Sequence, residues 1–278
     1  MLVNLNDILF DAQKRKYAVG LFNFVDTDLL EATISAAEEM RSPIIIGTAE
    51  VLLPYGELKL LAPAMVEAAK RASVPVVVHY DHGLTFNRCM EALQLGFSSI
   101  MYDGSAESIK ENRETTRQIV KIAHAFGATV EGEVGHVGLA DQGDDTNANF
   151  YTTVEEACTF VQETGVDALA IAIGTAHGAY TAKPHLDIAR LSDIHRALET
   201  PLVLHGGSGL SDEDFQNTIR HGITKINIFT DLCEGGLRGI QEGLTNRLSY
   251  LEIRNRKVAS AKQTVLEKIR LFGSDGKA

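Results

Sequence analysis

The stretch PVVVHYDHGLTFNRCMEALQLGFSSIMYD, residues 75–103, contains the repeating unit that decides the fold. Residues 75–80 and 98–103 are short and mostly apolar, whereas residues 86–95 between them form a longer segment with helical periodicity. Apolar residues occupy successive rather than alternating positions in the first run, which is typical of a parallel strand covered on both faces. The stretch therefore predicts a strand, a helix and a second strand parallel to the first.

The same alternation continues along nearly the whole chain. The predicted strands are 17–24, 43–48, 75–80, 98–103, 129–134, 168–174, 201–205 and 225–229. The predicted helices are 28–40, 59–72, 86–95, 108–125, 154–163, 188–198 and 212–220. Eight such units in about 250 residues predict an α/β fold, a (β/α)₈ TIM barrel, followed by a C-terminal helical extension after Glu242. A doubly wound open sheet is the alternative, because alternation alone does not reveal closure.

The composition is that of a globular, acidic protein. No Pro- or Ser-rich linker divides the 278 residues, so we expect a single domain over 1–278. The 26 Lys and Arg against 37 Asp and Glu give a net charge of −11, which disfavours non-specific nucleic-acid binding. The apolar runs are too short to cross a bilayer, and no export signal is recognised. The three cysteines form no C-x-x-C motif. These features predict a cytoplasmic protein that binds neither nucleic acid nor membrane.

Three histidines occupy the same position in three different units. His82, His177 and His205 each stand at the carboxyl end of a predicted strand, and each is followed by glycine. The carboxyl ends of barrel strands converge on one mouth, where the active sites of such enzymes lie. Three imidazoles around one point suit Zn²⁺ with an open fourth position, the arrangement typical of catalytic zinc. We therefore predict a zinc site formed by these three side chains.

Asp81 directly precedes the first of these histidines. It cannot face the metal in the same way as His82, so we expect it beside the site, where a carboxylate can move a proton. The alternative role is to cap the helix that starts near Thr85, but Thr85 itself fills that position better.

The ends of the seventh and eighth predicted strands point to an anion site. Residues 206–209, GGSG, follow the seventh strand, and Asn227 and Thr230 lie at the eighth. Backbone N–H groups of a Gly-rich turn and a hydroxyl at a helix start can cradle an anion, and barrels commonly hold phosphate at these two loops. A metal, a proton carrier and a phosphate site together predict aldol cleavage or enolisation of a phosphorylated ketose.

With these residues in place, the chain closely resembles the class II, metal-dependent fructose-bisphosphate and tagatose-bisphosphate aldolases. The resemblance runs from about Asp7 to Gly273 and is carried by GLFNF (20–24), AAEEMRSPIIIGT (36–48), HYDHG (79–83), SIMYDGS (99–105), VEGEVGHVG (130–138), AIAIGTAHGAY (170–180), LVLHGGSGLSDEDF (202–215), GITKINIFTDL (222–232) and EKIRLFGS (267–274). It implies an enzyme with one zinc per chain that interconverts a ketose phosphate or bisphosphate with dihydroxyacetone phosphate and an aldehyde.

The resemblance also assigns the site residues. The zinc ligands fall on His82, His177 and His205, and the proton carrier falls on Asp81. Glu133 matches a carboxylate that holds zinc in a second, buried position in some members. The substrate-binding residues fall on Asn23, Thr48, Gly178, Gly206, Gly207, Ser208, Asn227, Ile228, Phe229 and Thr230, with Lys225 near them. Members also often bind a monovalent cation such as Na⁺ through backbone carbonyls near the phosphate, and we expect a homodimer or homotetramer.

The first departure from the family pattern concerns the base. The family's loop usually reads Gly-Gly-x-Glu-Asp, with the Glu taking the proton that generates the enediolate. Here Asp141 aligns with that Glu but is one methylene shorter, and a shift could instead present Asp144 or Asp145. Residues 135–151 form a long polar segment, which we expect to close over the substrate.

The second departure concerns the substrate. Phe229 stands where fructose-bisphosphate enzymes tend to have Asp or Asn and tagatose enzymes Ala, facing the variable half of the substrate. A bulky apolar group there predicts a natural ketose other than fructose 1,6-bisphosphate. A phosphate at the distal end would need a cation, for which we nominate Arg254 or Arg256 of the C-terminal helix, from this subunit or a neighbouring one.

Two other functions stay open at this point. A metal-dependent sugar-phosphate epimerase or isomerase would use the same enediolate without breaking a carbon–carbon bond. A non-catalytic sugar-phosphate binding protein would have lost activity through its altered loop, although the complete set of histidines and Asp81 argue against that function.

Overall fold

Eight parallel strands close into a barrel. The computed structural model of the chain describes residues 1–138, 150–178 and 184–278. The strands of this part are β1 (Leu2–Val3), β2 (Val19–Asn23), β3 (Ile44–Ala49), β4 (Val76–Gly83), β5 (Ser99–Tyr102), β6 (Thr129–Val134), β7 (Ala168–Ile171), β8 (Leu202–Leu204) and β9 (Ile223–Ile228). Strands β2 to β9 pair in chain order, and β9 pairs again with β2. The ring is therefore closed, so the TIM barrel prediction is confirmed and the open sheet is excluded.

Helices cover the outside of the barrel. They are α1 (Leu5–Arg15), α2 (Thr27–Met40), α3 (Leu58–Arg71), α4 (Phe86–Gln94), α5 (Ile109–Ala125), α6 (Val154–Thr164), α7 (Ile188–Ala197), α8 (Asp212–Arg220), α9 (Thr230–Thr245) and α10 (Tyr250–Phe272), with a short 3₁₀ helix at Glu50–Leu52. Side chains fix several starts: Ser108 and Thr153 form capping boxes, and Thr85 caps α4 as the sequence predicts. No helix in the described part of the chain is both long and apolar enough to cross a membrane.

The amino end of the barrel is closed by elements that the sequence patterns do not predict. β1 has only two residues, too few to show a period, and it pairs with the first residues of β4. Helix α1 buries an apolar face against side chains inside the barrel, formed by Leu5, Ile8, Leu9 and Ala12. Each large aliphatic side chain buried in this way contributes about 1.5–3 kcal/mol. The carboxyl end of the barrel is left for the functional site.

The predicted C-terminal extension is present as α10, which packs against α9 and α2. Close approach to α9 depends on glycine, because a Cβ at Gly239 would collide with the backbone of Arg256. On its other side, Nε of Arg254 lies 2.8 Å from Oδ1 of Asp28, and the same guanidinium also pairs with Glu31. Arg254 is thus engaged within its own chain, on the outer wall of the barrel.

Candidate active site

One cavity of about 450 Å³ opens at the carboxyl end of the barrel. Most of the predicted site residues line it: Asn23, Asp81, His82, His177, Gly178, Gly206, Gly207, Ser208, Asn227, Ile228, Phe229 and Thr230. The remaining lining residues are Ala49, Val51, Leu52, Leu84, Asp103, Ser105, His136 and Val137. Strands far apart in sequence therefore do bring these side chains together, as expected for a TIM barrel.

The three strand-end histidines meet at the wall of this cavity: His82 and His177 line it, and His205 is fully buried beside them. The ring centroid of His82 lies 4.9 Å from that of His177 and 4.5 Å from that of His205. A ring nitrogen of each histidine lies within 4.8 Å of a ring nitrogen of each of the other two. Nε2 of His82, Nε2 of His177 and Nδ1 of His205 are buried and make no hydrogen bond in the described chain, although Nδ1 of His205 lies 3.3 Å from Oε2 of Glu133. Three unpartnered imidazole nitrogens around one point are the donor set that zinc takes with a fourth position open.

The opposite nitrogens of two of these rings are held by carboxylates. Nδ1 of His82 lies 2.7 Å from Oδ2 of Asp103, and Nε2 of His205 lies 2.8 Å from Oε1 of Glu131. Because carboxylates only accept hydrogen bonds, these two nitrogens donate, which is how carboxylates orient histidines that bind metals. Although burial alone would lower it, Glu131 and Glu133 raise the pKa of His205 to about 10, so a metal that binds there would displace a proton. Burial together with the charges of His82 and His205 lowers the pKa of His177 to about 3, which keeps its imidazole neutral. Neutral imidazole is the form that binds metals.

Asp81 and His82 are adjacent in sequence, yet both reach the cavity. In a regular strand, consecutive side chains point to opposite faces. Here the β4–β5 register shifts between Tyr80 and Gly83, and His82 has φ of 44°, in the left-handed region. A non-glycine residue there costs about 1–3 kcal/mol, and such strain tends to occur at functional sites. The bend at His82 brings a metal-binding group and a carboxylate to the same mouth.

The Asp81 carboxylate is buried and held from two sides. Nδ2 of Asn23 donates to Oδ2 of Asp81 at 2.6 Å, and Nδ2 of Asn227 lies 3.0 and 3.1 Å from its two oxygens. Burial alone would raise the pKa of Asp81, but the charge of His82 and the contact with His79 bring it well below its ordinary value. The group is therefore an ionised carboxylate in a fixed orientation.

The predicted phosphate site lies where β8 and β9 end. Gly206 has φ of 63°, and a Cβ there would collide with the backbone of Ala176, so the turn requires glycine. The Ser208 hydroxyl accepts a hydrogen bond of 3.3 Å from the N–H of Phe229, which joins the two loops. No side-chain cap occupies the start of α9 at Phe229. The positive end of this helix therefore faces the cavity with N–H groups available to an anion.

The sequence profile of the family described as "Fructose-bisphosphate aldolase class-II" matches residues 3–277. The chain belongs to this family. As a class II aldolase, the protein is an aldehyde-lyase.

Relatives of this class II aldolase match over its whole length. The 6-phospho-5-dehydro-2-deoxy-D-gluconate aldolase of Shouchella clausii is 38% identical, and the match covers 99% of this chain and 96% of that relative. The probable fructose-bisphosphate aldolase of Bacillus subtilis is 36% identical, with coverage of 100% and 99%. The crystal structure of the YdjI aldolase from Escherichia coli K12 has 36% identity, a TM-score of 0.90 and full coverage of both chains.

Some residues expected in or near the site of this class II aldolase do not line the cavity. Thr48 is buried on β3 and Glu133 is buried on β6, and neither lines the cavity, although Oε2 of Glu133 lies 3.3 Å from Nδ1 of His205. Lys225, expected near the substrate, is fully buried and does not line the cavity either. Its ammonium group pairs with Glu131 and with the cavity-lining Asn227 inside the barrel.

Two further expected groups do not contribute to the described cavity. Arg254 is paired on the outer wall, and Arg256 is exposed on α10. Asp141, with Asp144 and Asp145, lies outside the described residues.

The sequence analysis of this class II aldolase missed Asp103, Glu131 and His79. Asp103 directly follows β5, as His205 directly follows β8. Glu131 and Glu133 stand two residues apart on β6, so they share a face of the strand. The same period joins His79 to Asp81 on β4. Ionisable residues two positions apart in an otherwise apolar strand are the signal that could have indicated a layer of charged side chains inside the barrel.

Proposed function

We propose that the protein is a zinc-dependent aldolase. It cleaves a ketose phosphate into dihydroxyacetone phosphate and an aldehyde, or joins these two compounds to form the ketose phosphate. The observation that supports it best is the convergence of three unpartnered imidazole nitrogens beside the Asp81 carboxylate, in the same cavity as the loops of β8 and β9. The same reasoning assigns one zinc per chain to His82, His177 and His205. When bound there, zinc would polarise the ketone and stabilise the negative charge that develops on its oxygen.

The chain's own residues would hold the substrate and move its protons. Gly207, Ser208 and Thr230 would bind the phosphate of the dihydroxyacetone phosphate half through backbone N–H and hydroxyl groups. This anchor fixes the reacting carbons relative to the histidines. In cleavage, Asp81 would accept the proton from the hydroxyl whose oxygen becomes the aldehyde, and in condensation it would return that proton.

A screen of aldehydes tests this function. Zinc-loaded protein is incubated with ¹³C-labelled dihydroxyacetone phosphate and each aldehyde, and the products are identified by NMR. We expect a new carbon–carbon bond with at least one aldehyde. Conversion of ketose phosphates into their epimers or isomers without any triose product would instead support the epimerase alternative. Zinc binding with no turnover of any compound would support a binding protein.

Asp141 is our candidate for the base that removes the carbon-bound proton of dihydroxyacetone phosphate, on the strength of its alignment with the family's glutamate. We expect Asp141→Ala to slow exchange of that proton with solvent about 10²-fold or more, because general bases contribute this much. Asp81→Ala should slow the exchange much less, since Asp81 acts on the oxygen. The exchange is followed by ¹H NMR in D₂O. An Asp141→Ala protein that exchanges at the wild-type rate would place the base elsewhere, with Asp144→Ala and Asp145→Ala as the next variants.

The distal half of the substrate is proposed to be uncharged rather than phosphorylated. No Lys or Arg is found among the described residues that line the cavity. Val51 and Leu52 follow β3 and Leu84 follows β4, on the side of the barrel opposite β8 and its phosphate loop. With Phe229 at the end of β9, these side chains form an apolar wall. A phosphate there would lose hydration without gaining a cationic partner from the described lining residues.

We therefore expect fructose 1,6-bisphosphate to be cleaved with a kcat/KM at least about tenfold below that of the best ketose monophosphate, a difference of 1.4 kcal/mol. Phe229→Asn should reduce this difference in kcat/KM, because it replaces an apolar side chain of the cavity with a smaller polar one. Phe126→Asn, at an exposed position on the outside of the barrel, should leave the difference unchanged. The measurement is kcat/KM over a panel of ketose phosphates. The apolar-wall argument is wrong if fructose 1,6-bisphosphate proves the best substrate. The named relatives include both types, since one is a monophosphate aldolase and another a probable bisphosphate aldolase.

The localisation, the oligomeric state and a second bound ion are part of the same proposal. We propose a cytoplasmic homodimer or homotetramer, with a monovalent cation such as Na⁺ held by backbone carbonyls near the phosphate.

A further inference from the structure

A buried lysine connects the two halves of the catalytic apparatus. Among the lysines that the structure describes, Lys225 alone is fully buried, on β9 beneath the cavity. Its Nζ lies 2.8 Å from Oε2 of Glu131 and donates to Oδ1 of Asn227 at 2.6 Å. Glu131 holds the proposed zinc ligand His205, and Asn227 holds the proton carrier Asp81. One ammonium group therefore contacts the supports of both.

The contact with Asn227 fixes which way its amide points. A side-chain amide has a donor end and an acceptor end, and an ammonium group can only donate. Lys225 therefore selects Oδ1 and turns Nδ2 towards Asp81, whose carboxylate can only accept. Asp81 selects the same orientation, so Lys225 acts as an anchor: without it, Oδ1 of Asn227 loses its donor and the amide is held through Nδ2 alone.

The contact with Glu131 acts on His205 in the same manner. The ammonium group occupies Oε2 and leaves Oε1 to accept from Nε2 of His205 at 2.8 Å. That contact orients the ring so that Nδ1 faces the other two histidines, 3.3 Å from Oε2 of Glu133. Lys225 also supplies positive charge to a cluster of His79, Asp81 and Glu131 whose donor atoms lie within 4.8 Å of one another.

We propose that Lys225 is a positioning residue that anchors both the Asn227 amide, which holds Asp81, and the Glu131 carboxylate, which holds His205, and so aligns the proton carrier with the metal site. It does not bind the substrate phosphate, because it lies outside the cavity and its contacts are inside the barrel. The inference rests on the proposed zinc-dependent aldol reaction.

The test compares Lys225→Met with a double variant that also carries Glu131→Gln. The methionine keeps much of the volume of the side chain without its charge, and the glutamine keeps an oxygen that can accept from Nε2 of His205. Lys262→Met is the matched control, since Lys262 also pairs with a carboxylate, Glu39, but on the surface. Zinc affinity is measured by competition with a chromophoric chelator, kcat and KM are measured for retro-aldol cleavage, and thermal unfolding is followed without metal.

We expect Lys225→Met to bind zinc at least about tenfold more weakly and to lose about 10–100-fold in kcat, as other outer-shell changes do. The KM for the ketose phosphate should stay within about threefold, because the phosphate site is unchanged. The double variant should regain zinc affinity but not kcat, since the Asn227 amide is still released. This split between metal affinity and rate is not what a purely structural role produces.

Several outcomes would overturn the inference. Lys225→Met with wild-type zinc affinity and kcat would do so, as would a double variant that loses both together. If neither variant folds, Lys225→Arg decides, because it keeps the charge but changes the length and shape of the donor that reaches Asn227 and Glu131. It should lower kcat and zinc affinity, and wild-type values of both in this variant contradict the proposal. A wild-type protein that neither binds zinc nor cleaves a ketose phosphate would instead remove the proposed function itself.

Discussion

Replacing His177 with alanine is expected to empty the metal site and abolish aldol cleavage. The side chain supplies one of three converging nitrogens, and its Nε2 has no other partner in the described chain. Two imidazoles alone do not make the three-ligand site typical of catalytic zinc. A metal of this kind supplies several kcal/mol of transition-state stabilisation, so at 1.36 kcal/mol per tenfold the loss should be about 10³-fold or more.

The measurement is zinc per chain by elemental analysis after dialysis, together with kcat/KM. Zinc content should fall well below one per chain, and His82→Ala and His205→Ala should behave in the same way. His136→Ala is the matched control, because His136 lines the same cavity but is not one of the three converging histidines. It should keep its zinc. Full zinc occupancy in His177→Ala would show that the ligand assignment is wrong.

The second large effect is expected at Asp81. Asp81→Ala should keep zinc and bind dihydroxyacetone phosphate, yet lose about 10²–10⁴-fold in kcat, the usual contribution of a general acid or base. Only an interaction made during proton transfer is removed, because the phosphate loop and the histidines are left intact. The Asn23 and Asn227 amides that hold this carboxylate would lose an acceptor, so thermal unfolding of the variant is measured alongside.

Zinc content, the dissociation constant of dihydroxyacetone phosphate and the cleavage rate together separate these roles. Asp81→Asn is the matched control, since it keeps the shape of the side chain but cannot accept the proton as a carboxylate does, and it should be nearly as slow as Asp81→Ala. If either variant turns over at close to the normal rate, water or another residue moves the proton.

The barrel could be predicted from the sequence because each strand is an apolar run between helical segments. Strands such as β3 and β4 are covered on both faces, so their hydrophobic residues are continuous and easy to recognise. The short β1 could not be predicted in this way, since its two residues gain their structure only by pairing with β4. Helix α1 has a clear apolar face, but what it covers is visible only once the barrel is closed.

The site was predictable to the extent that it depends on strand ends. His82, His177 and His205 occupy equivalent positions in their units, and the barrel brings equivalent positions together. The hydrogen-bond partners of these histidines depend instead on how each strand is shifted along the barrel relative to its neighbours. Glu131 reaches His205 and Lys225 across the interior, through side chains on strands that are not adjacent to β6 in sequence. Such contacts follow from register and closure, which the pattern of a single strand does not contain.

The most direct test of the account is the release of dihydroxyacetone phosphate from the best ketose phosphate, measured with metal-stripped and zinc-reloaded protein. The account predicts no detectable release after chelation and full recovery when one equivalent of Zn²⁺ per chain is added. Equal release with and without the metal, or recovery of an epimer or isomer in place of dihydroxyacetone phosphate, would contradict it.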